Sequence, residues 1–209
     1  DAESVGCGGT MALHARAGDT VCLVIATDGG SSRAASRSRS RMAGMRAREA
    51  QTATQLLEAR TVLQLGFAEG HYLQSDLQAR IEDIIRGFEP TLIYTTSCID
   101  YHPEHGKVAS ALAKALEAVK YTRATVRIYE IQVPLTSNLT NMLAILGPAD
   151  RAKRRALEAY QTQEQSLIWS RRHALYTRRL YRHAGEVDAV WELFRPEVRR
   201  VMGRFLGLV

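Results

Sequence analysis

The chain has 209 residues, of which 28 are lysine or arginine and 22 are aspartate or glutamate, so its net charge is +6. A hydrophobic share of 45% and a charged share of 24% are typical of a folded domain and exclude a disordered or fibrous chain. No apolar run approaches the roughly 20 residues that cross a bilayer, and three cysteines are too few, and odd in number, for a disulfide scaffold. We therefore predict a single cytoplasmic domain over residues 1–209, without a membrane span.

The charge is unevenly distributed along the chain. Residues 31–48 hold six arginines and no acidic residue, and residues 151–209 hold 13 basic against six acidic residues. Between them, residues 49–150 hold 12 acidic against eight basic residues. A nucleic-acid-binding protein favours a continuous basic face. This layout therefore argues against nucleic acid as the partner and leaves anionic small molecules open.

The first half of the chain alternates between helical and strand-like segments. Residues 10–17 are compatible with a helix that ends before Gly18. The unbroken apolar run at residues 21–26 indicates a strand that is buried on both faces. Residues 31–41 are rich in serine and arginine and have almost nothing to bury, which is typical of a loop. Residues 45–59 have a helical composition.

The second half continues the alternation. Residues 81–88 are the end of a helix, residues 92–96 are a second apolar strand, and residues 108–119 are a further helix. Residues 126–133 alternate like a strand, and residues 149–170 read as one long helix in a mainly helical C-terminal region. Alternating strands and helices predict a Rossmann-like, three-layer α/β fold, in which helices cover both faces of a mostly parallel sheet.

Ligands of such sheets bind beyond the carboxyl ends of the strands, so the loops that follow strands are candidate sites. We expect three of them, at residues 1–9, 27–30 and 100–105. In the third loop, Pro103 suits the first turn of a helix, with His102 just before it and His105 on nearly the same side. Two imidazoles and a carboxylate at this edge suit metal binding or proton transfer. A surface loop with two solvated histidines remains the alternative.

Two segments resemble the motifs of a known family. Residues 1–10, Asp-Ala-Glu-Ser-Val-Gly-Cys-Gly-Gly-Thr, resemble the opening of the LmbE-like, PIG-L N-acetylglucosaminide deacetylases, whose motif is His-Pro-Asp-Asp-Glu, two residues and a Gly-rich turn. Residues 100–105, Asp-Tyr-His-Pro-Glu-His, are similar to that family's Asp-x-His-Pro-Asp-His. Shorter matches in the same order extend the resemblance over nearly the whole chain: Thr27-Asp28-Gly29, Arg46 with Glu49, Tyr129-Glu130, Lys153, Ala156-Leu157 and Tyr160-Gln161-Thr162-Gln163.

The resemblance implies the zinc-dependent hydrolysis of an acetamide on a sugar. The family holds its Zn²⁺, or another divalent ion, with the His and the second Asp of the first motif and the last His of the second. Carried over, His105 is the ligand here, whereas Ala2 stands at the Asp position and its methyl group cannot coordinate a metal. We expect the first strand and the His-Pro to be missing from this sequence, and Glu3 and Asp100 to support the site from behind the reacting groups.

The resemblance also implies roles for four further residues. Asp1 corresponds to the general base, and His102 to the histidine that stabilises the oxyanion or donates a proton. Glu104 keeps a carboxylate beside the histidines and completes the predicted catalytic set. Arg46 is a candidate to bind a hydroxyl or anionic group of the substrate, although an ion pair with Glu49 explains it equally well.

Several alternatives stay open. A family member without metal would act as a carbohydrate- or partner-binding module. The basic helices after about residue 150 would suit a homo-oligomer, and a solvated face explains them as well. A dinucleotide-binding oxidoreductase is disfavoured because the glycine fingerprint requires glycine where Met11 stands. Cys98 is either a reactive thiol or a small buried residue. The four arginines of the predicted loop either close over an anionic sugar or are solvated: Arg33, Arg37, Arg39 and Arg41.

Overall fold

A computed structural model describes residues 1–31, 38–182 and 187–193. Its helices and strands, in chain order, are α1 (Ala2–Arg16), β1 (Cys22–Thr27), α2 (Arg39–Leu56), β2 (Thr61–Phe67), α3 (Gln74–Phe88), β3 (Leu92–Thr96), α4 (Pro103–Ala118), β4 (Thr125–Tyr129), β5 (Met142–Ile145), α5 (Ala149–Glu158), α6 (Glu164–Tyr181) and β6 (Val187–Leu193). This order confirms the predicted α/β class. No helix in the described ranges is long and apolar enough to cross a membrane.

The chain forms two compact units. Among the described residues, the first unit contains those of Asp1–Gly70 and Leu143–Ala189, and the second contains His71–Met142 and residues 190–193. In the first unit, β1 and β2 pair in parallel, with Cys22 opposite Thr61. In the second, β3 pairs in parallel with β4, and β4 pairs antiparallel with β6. The described strands form a sheet of order β1-β2 and a sheet of order β3-β4-β6-β5.

The core of the second unit lies between α3, α4 and β4. The helix α4 repeats small and apolar residues on one side, and these pack against Ile85 of α3 and the inward residues of β4. Burying a leucine- or isoleucine-sized side chain contributes about 1.5–3 kcal/mol each, which fixes α4 against the sheet. The buried cluster consists of Ile85, Ala109, Leu112, Ala115, Leu116, Val126 and Ile128.

The glycine-rich segment at the start of the first unit is helical, so the loop expected at residues 1–9 is wrong. Helix α1 runs through the glycines with one non-helical residue, Cys7, at φ −139° and ψ 19°. A Cβ on Gly9 would lie 2.4 Å from Cδ1 of Leu146, which is itself buried. The glycine is therefore needed for close packing of α1 rather than for a turn.

Several predicted boundaries are also wrong. The loop predicted for residues 31–41 ends earlier because α2 begins at Arg39, which places Arg41 on a helix; Arg33 and Arg37 lie outside the described residues. The helix predicted for residues 149–170 is two helices, α5 and α6, which are separated at residues 159–163.

Three strands of the described residues were not predicted from the sequence, namely β2, β5 and β6. The strand β6 lies in the region that we predicted to be mainly helical, and it carries the acidic residues Asp188 and Glu192. Their partners come from distant parts of the chain, because Asp188 accepts from Thr10 and Lys153 and Glu192 accepts from Arg127. Tertiary contacts thus override a local composition that favours a helix.

Candidate functional site

The second histidine motif lies between β3 and α4, where it forms the start of a helix. His102 is the residue before the helix, and its Nδ1 accepts from the backbone N–H of Glu104 at 3.3 Å. Pro103 follows in the first turn, as predicted, where its missing N–H leaves no hydrogen bond unmade. The Thr96 hydroxyl donates to the carbonyl oxygen of His105 at 2.8 Å and fastens this turn to the end of β3.

The Asp100 carboxylate connects the motif to the loop after β4. Its Oδ1 accepts from the His102 N–H and from Nδ1 of His105, both at 3.1 Å. Its Oδ2 accepts from the N–H groups of Gln132 at 2.8 Å and Val133 at 3.3 Å. Burial raises the pKa of Asp100, but the hydrogen bonds from His105, Gln132 and His102 outweigh it and lower the pKa to about 2. The side chain is therefore an enclosed anion that orients its neighbours.

The two imidazoles present opposite hydrogen-bonding character. Because Nδ1 of His102 accepts a hydrogen bond, the neutral ring carries its proton on Nε2 and can donate from there. Because Nδ1 of His105 donates to the Asp100 carboxylate, its Nε2 keeps a lone pair for a proton or a metal. The ring centroids are 4.8 Å apart with an interplanar angle of 30°. One donor and one acceptor therefore stand side by side at the start of α4.

Glu104 is nearly buried, at 8% exposure, and both of its carboxylate oxygens are hydrogen-bonded. The Tyr72 hydroxyl donates to Oε2 at 2.7 Å, and the Lys107 ammonium donates to Oε1 at 2.8 Å. The same ammonium lies 5.2 Å from the centre of the Tyr72 ring. Each oxygen keeps a second lone pair, so these contacts hold Glu104 in place and leave it able to accept from a substrate. Sequence reasoning missed Tyr72 because no motif surrounds it.

The other predicted site residues belong to the first unit. Asp1 immediately precedes α1, Ala2 is its first residue, and Glu3 follows. Oε1 of Glu3 accepts from the Tyr160 hydroxyl at 2.7 Å and from the Ser4 hydroxyl at 3.0 Å. Burial, and then the Glu3 charge, raise the pKa of Tyr160 well above its usual value, so that its hydroxyl remains a donor. Glu3 thus fastens α1 to the segment that follows α5.

Arg46 lies on α2 beside the loop that follows β1. Its Nε is buried and has no hydrogen-bond partner among the described residues, and burial lowers the pKa of the guanidinium. The side-chain amide of Gln163 faces the Arg46 guanidinium. With the amide oxygen turned toward Arg46, this oxygen accepts a hydrogen bond from the guanidinium. Gly29, at φ 62°, leaves room for Arg46, because a Cβ there would lie 3.2 Å from the arginine Cγ.

Glu49, the alternative partner for Arg46, is hydrogen-bonded elsewhere. Its carboxylate accepts from the backbone N–H of Thr162 at 2.9 Å and from the Thr162 hydroxyl at 2.6 Å. The Glu49 charge still raises the pKa of Arg46 and thereby offsets part of the effect of burial.

The donor atoms of the structure do not make a complete metal site. Within residues 1–31, 38–182 and 187–193, no three His, Cys, Asp or Glu side chains are grouped so that they could hold a metal ion. Ala2, the residue that the resemblance aligns with a family ligand, offers only a methyl group. His105 has the form of a metal ligand, with a carboxylate on its other nitrogen. Among the described residues, His105 is therefore a candidate ligand without a complete ligand set around it.

Solved structures with a similar fold cover most of the chain. The hydratase GalB, a 4-carboxy-2-hydroxymuconate hydratase from Pseudomonas putida KT2440, is 19% identical, with a TM-score of 0.78 over 92% of this chain and 91% of its own. The N,N'-diacetylchitobiose deacetylase of Pyrococcus horikoshii is 15% identical, with a TM-score of 0.78 over 99% of this chain and 84% of its own. The A40926 pseudoaglycone deacetylase Dbv21 is 20% identical, with a TM-score of 0.76 over 93% of both chains. These similarities confirm the LmbE-like deacetylase fold.

A comparison with curated protein sequences finds no match. The family model PIG-L, described as GlcNAc-PI de-N-acetylase, matches residues 1–116, which is more than half of the chain and includes both motifs. The predicted resemblance is thereby confirmed, and the chain belongs to the PIG-L family.

Proposed function

We propose that this protein is an N-deacetylase that hydrolyses the acetamide of an N-acetylglucosamine-type sugar or sugar conjugate. The observation that carries the proposal is the pair of opposed imidazoles at the start of α4, with the His102 donor beside the His105 acceptor and Asp100 behind them. The family description, and the two structural relatives that are named as deacetylases, support the same reaction class.

In the proposed reaction, water adds to the acetamide carbonyl, the C–N bond breaks, and acetate and a free amine are released. The Nε2–H of His102 stabilises the tetrahedral oxyanion, a position where a fixed donor is worth roughly 10²–10³ in rate. Asp1 accepts the proton of the attacking water and returns it to the leaving amine. Glu104 accepts a hydrogen bond from the substrate with its remaining lone pairs, and Arg46 binds a sugar hydroxyl or an anionic group.

Zn²⁺ or another divalent ion is the cofactor that family membership implies, and we propose His105 as its ligand in this chain. A relative is described as a zinc-inhibited form of teicoplanin deacetylase. Because the described residues supply one such ligand and not a set, the proposed reaction contains no step through the metal. We further propose a cytoplasmic location, since all three cysteines are free thiols.

The test is the release of acetate from N-acetylglucosamine and from N,N'-diacetylchitobiose by the purified chain. We expect release by the wild type and a loss of roughly 100-fold or more in kcat for His102→Ala, because the oxyanion donor is removed. His71→Ala is the matched control, since His71 is an exposed histidine of the same unit and lies outside the motif. Failure of the wild type to release acetate from either sugar would refute the proposed reaction.

A separate measurement tests the placement of the metal ligand. Ala2→Asp restores a carboxylate where the family has one, so we expect zinc to bind at least about tenfold more tightly than to the wild type, as measured by competition with a chelator. Ala17→Asp, at an exposed residue beyond the end of α1, is the control. Equal zinc affinity of the wild type and Ala2→Asp would show that residue 2 does not face the metal.

The second candidate is a binding module without catalytic activity. Two points favour it: the resemblance puts Ala2 where the family has a ligand Asp, and no group of three possible metal ligands forms among the described residues. This candidate predicts that N-acetylglucosamine binds and that no acetate appears, with or without added zinc. Turnover of the sugar contradicts it.

A further inference from the structure

Gln132 follows β4 at the edge of the sheet where the histidine motif lies. Because β3 and β4 are parallel, their carboxyl ends meet at one edge, and the loops after them lead to Asp100 and to Gln132. The backbone N–H of Gln132 donates to Oδ2 of Asp100, whose other oxygen accepts from His105. The Asp100 carboxylate therefore accepts a hydrogen bond from the Gln132 backbone with one oxygen and from the His105 ring with the other.

The loop that carries Gln132 is fastened at two points. At one point Asp100 accepts from the consecutive N–H groups of Gln132 and Val133. At the other, the buried Glu130 carboxylate accepts from the backbone N–H of Leu135 at 2.7 Å. With Leu135 itself 1% exposed, the backbone between these points is constrained, and the Gln132 side chain starts from a defined position.

The amide oxygen of Gln132 is buried and accepts no hydrogen bond from the described residues. A buried carbonyl oxygen without a donor costs free energy, and most such groups in folded proteins have a partner. The Gln132 backbone is hydrogen-bonded to Asp100, the carboxylate that also holds His105. An orphaned acceptor on this residue is therefore a place where a donor from outside the chain gains a hydrogen bond. A sugar with an acetamide carries such donors, in its hydroxyl groups and its amide N–H.

We propose that Gln132 is a substrate-binding residue, whose amide oxygen accepts a hydrogen bond from an O–H or N–H group of the N-acetylated sugar. The proposal rests on the proposed deacetylase function for the class of ligand, and on this chain's own geometry for the residue. It adds a specificity contact that neither motif contains. An analogue that lacks the donor leaves the oxygen unpaired, so the site discriminates against it.

The variant Gln132→Met tests this contact cleanly. Methionine is unbranched and similar in length but has no carbonyl oxygen, and the contact to Asp100 persists because it involves the backbone. Removing an unpaired acceptor is expected to leave the melting temperature equal to or above that of the wild type. The dissociation constant for N-acetylglucosamine, measured by titration calorimetry, is expected to rise about tenfold.

The control is Gln78→Met on α3 of the same unit, where the side-chain amide donates to Glu82. This variant is expected to bind N-acetylglucosamine like the wild type. Deoxy analogues of the sugar identify the group that donates to Gln132. The analogue that lacks this group should bind the wild type more weakly than the parent sugar does. For Gln132→Met, the analogue and the parent sugar should bind equally well.

Three results overturn the proposal: no binding of N-acetylglucosamine to the wild type, equal binding by Gln132→Met, or a clear fall in melting temperature for Gln132→Met, which would reveal a partner within the protein. Failure of the proposed function has a different signature. If the sugar binds through Gln132 and no acetate is released, the proposed contact is supported and the proposed reaction is refuted.

Discussion

At the scale of single residues, Asp100 shows how a short motif depends on a distant loop. Its place in the motif is visible in the sequence, and its hydrogen bond to His105 is a contact over five residues. Its contacts with Gln132 and Val133 depend on the parallel pairing of β3 and β4. The carboxylate is charged and enclosed because donors from both loops surround it.

The variant Asp100→Asn should therefore be destabilised at neutral pH. The amide cannot accept all four hydrogen bonds, and we expect a loss of about 2 kcal/mol in the free energy of unfolding, measured with urea. Asp83→Asn, at a carboxylate with 62% side-chain exposure, should change the stability little. Equal stability of Asp100→Asn and the wild type would contradict the geometry.

The same carboxylate predicts a dependence on pH. Its pKa is about 2 in the folded protein against a reference value of 3.8, so its contribution to stability is complete above about pH 4 and is lost as the pH falls towards 2. The difference in stability between the wild type and Asp100→Asn should therefore shrink over this window. A difference that stays constant from pH 6 to pH 2 would show that Asp100 is not the titrating group.

At the scale of elements, two helices differ in whether they have room for a side chain at a glycine. On α1, Gly9 has no room for a Cβ because Leu146 lies against it. On α3, Gly87 has no atom within 4 Å of the position that a Cβ would occupy. Composition alone does not distinguish the two positions, because the difference lies in what packs against each helix.

These two positions make a matched pair of variants. Gly9→Ala should destabilise the protein by about 1–3 kcal/mol, because the methyl group overlaps a buried leucine. Gly87→Ala should be neutral or stabilising by up to about 1 kcal/mol, because alanine favours the helix. Thermal unfolding of both variants checks the prediction, and a stable Gly9→Ala would mean that Leu146 can move aside.

The predicted elements succeeded where the signals were local. The strand β3 matches its predicted range, and α4 begins at Pro103 directly after His102, because an apolar run and a proline act on their immediate neighbours. The break between α5 and α6 was missed because Thr162 there is hydrogen-bonded to Glu49, which is 113 residues away. Such a contact has no counterpart in local composition.

At the scale of the whole chain, Asp188 connects segments that are far apart in the sequence. The carboxylate is 1% exposed and accepts from the backbone N–H and hydroxyl of Thr10, both at 2.8 Å, and from the Lys153 ammonium at 2.5 Å. Lys153 is itself only 13% exposed. Within the first unit, the Asp188 carboxylate therefore joins α1, through Thr10, to α5, through Lys153.

Removing one member of this pair should destabilise the first unit strongly. Asp188→Ala leaves a buried ammonium without its partner, and we expect a loss of about 3–5 kcal/mol. The double variant Lys153→Met with Asp188→Leu should recover much of that loss, since no charge is left unpaired. Arg80→Ala, at an exposed pair with Asp83, is the control and should have little effect. Additive losses in the double variant would contradict a coupled pair.

By itself, the sequence determined the family, the α/β class, the histidine motif and the start of α4, because these depend on residues that are neighbours along the chain. The tertiary structure decided what each motif residue contacts: the donors around Asp100, the Tyr72 and Lys107 contacts of Glu104, and the orphaned oxygen of Gln132. It also showed a packed helix, α1, where a loop was expected at residues 1–9. Hydrogen bonds and close packing join residues that only the completed fold brings within about 3–4 Å of one another, so they have no local signature in the sequence.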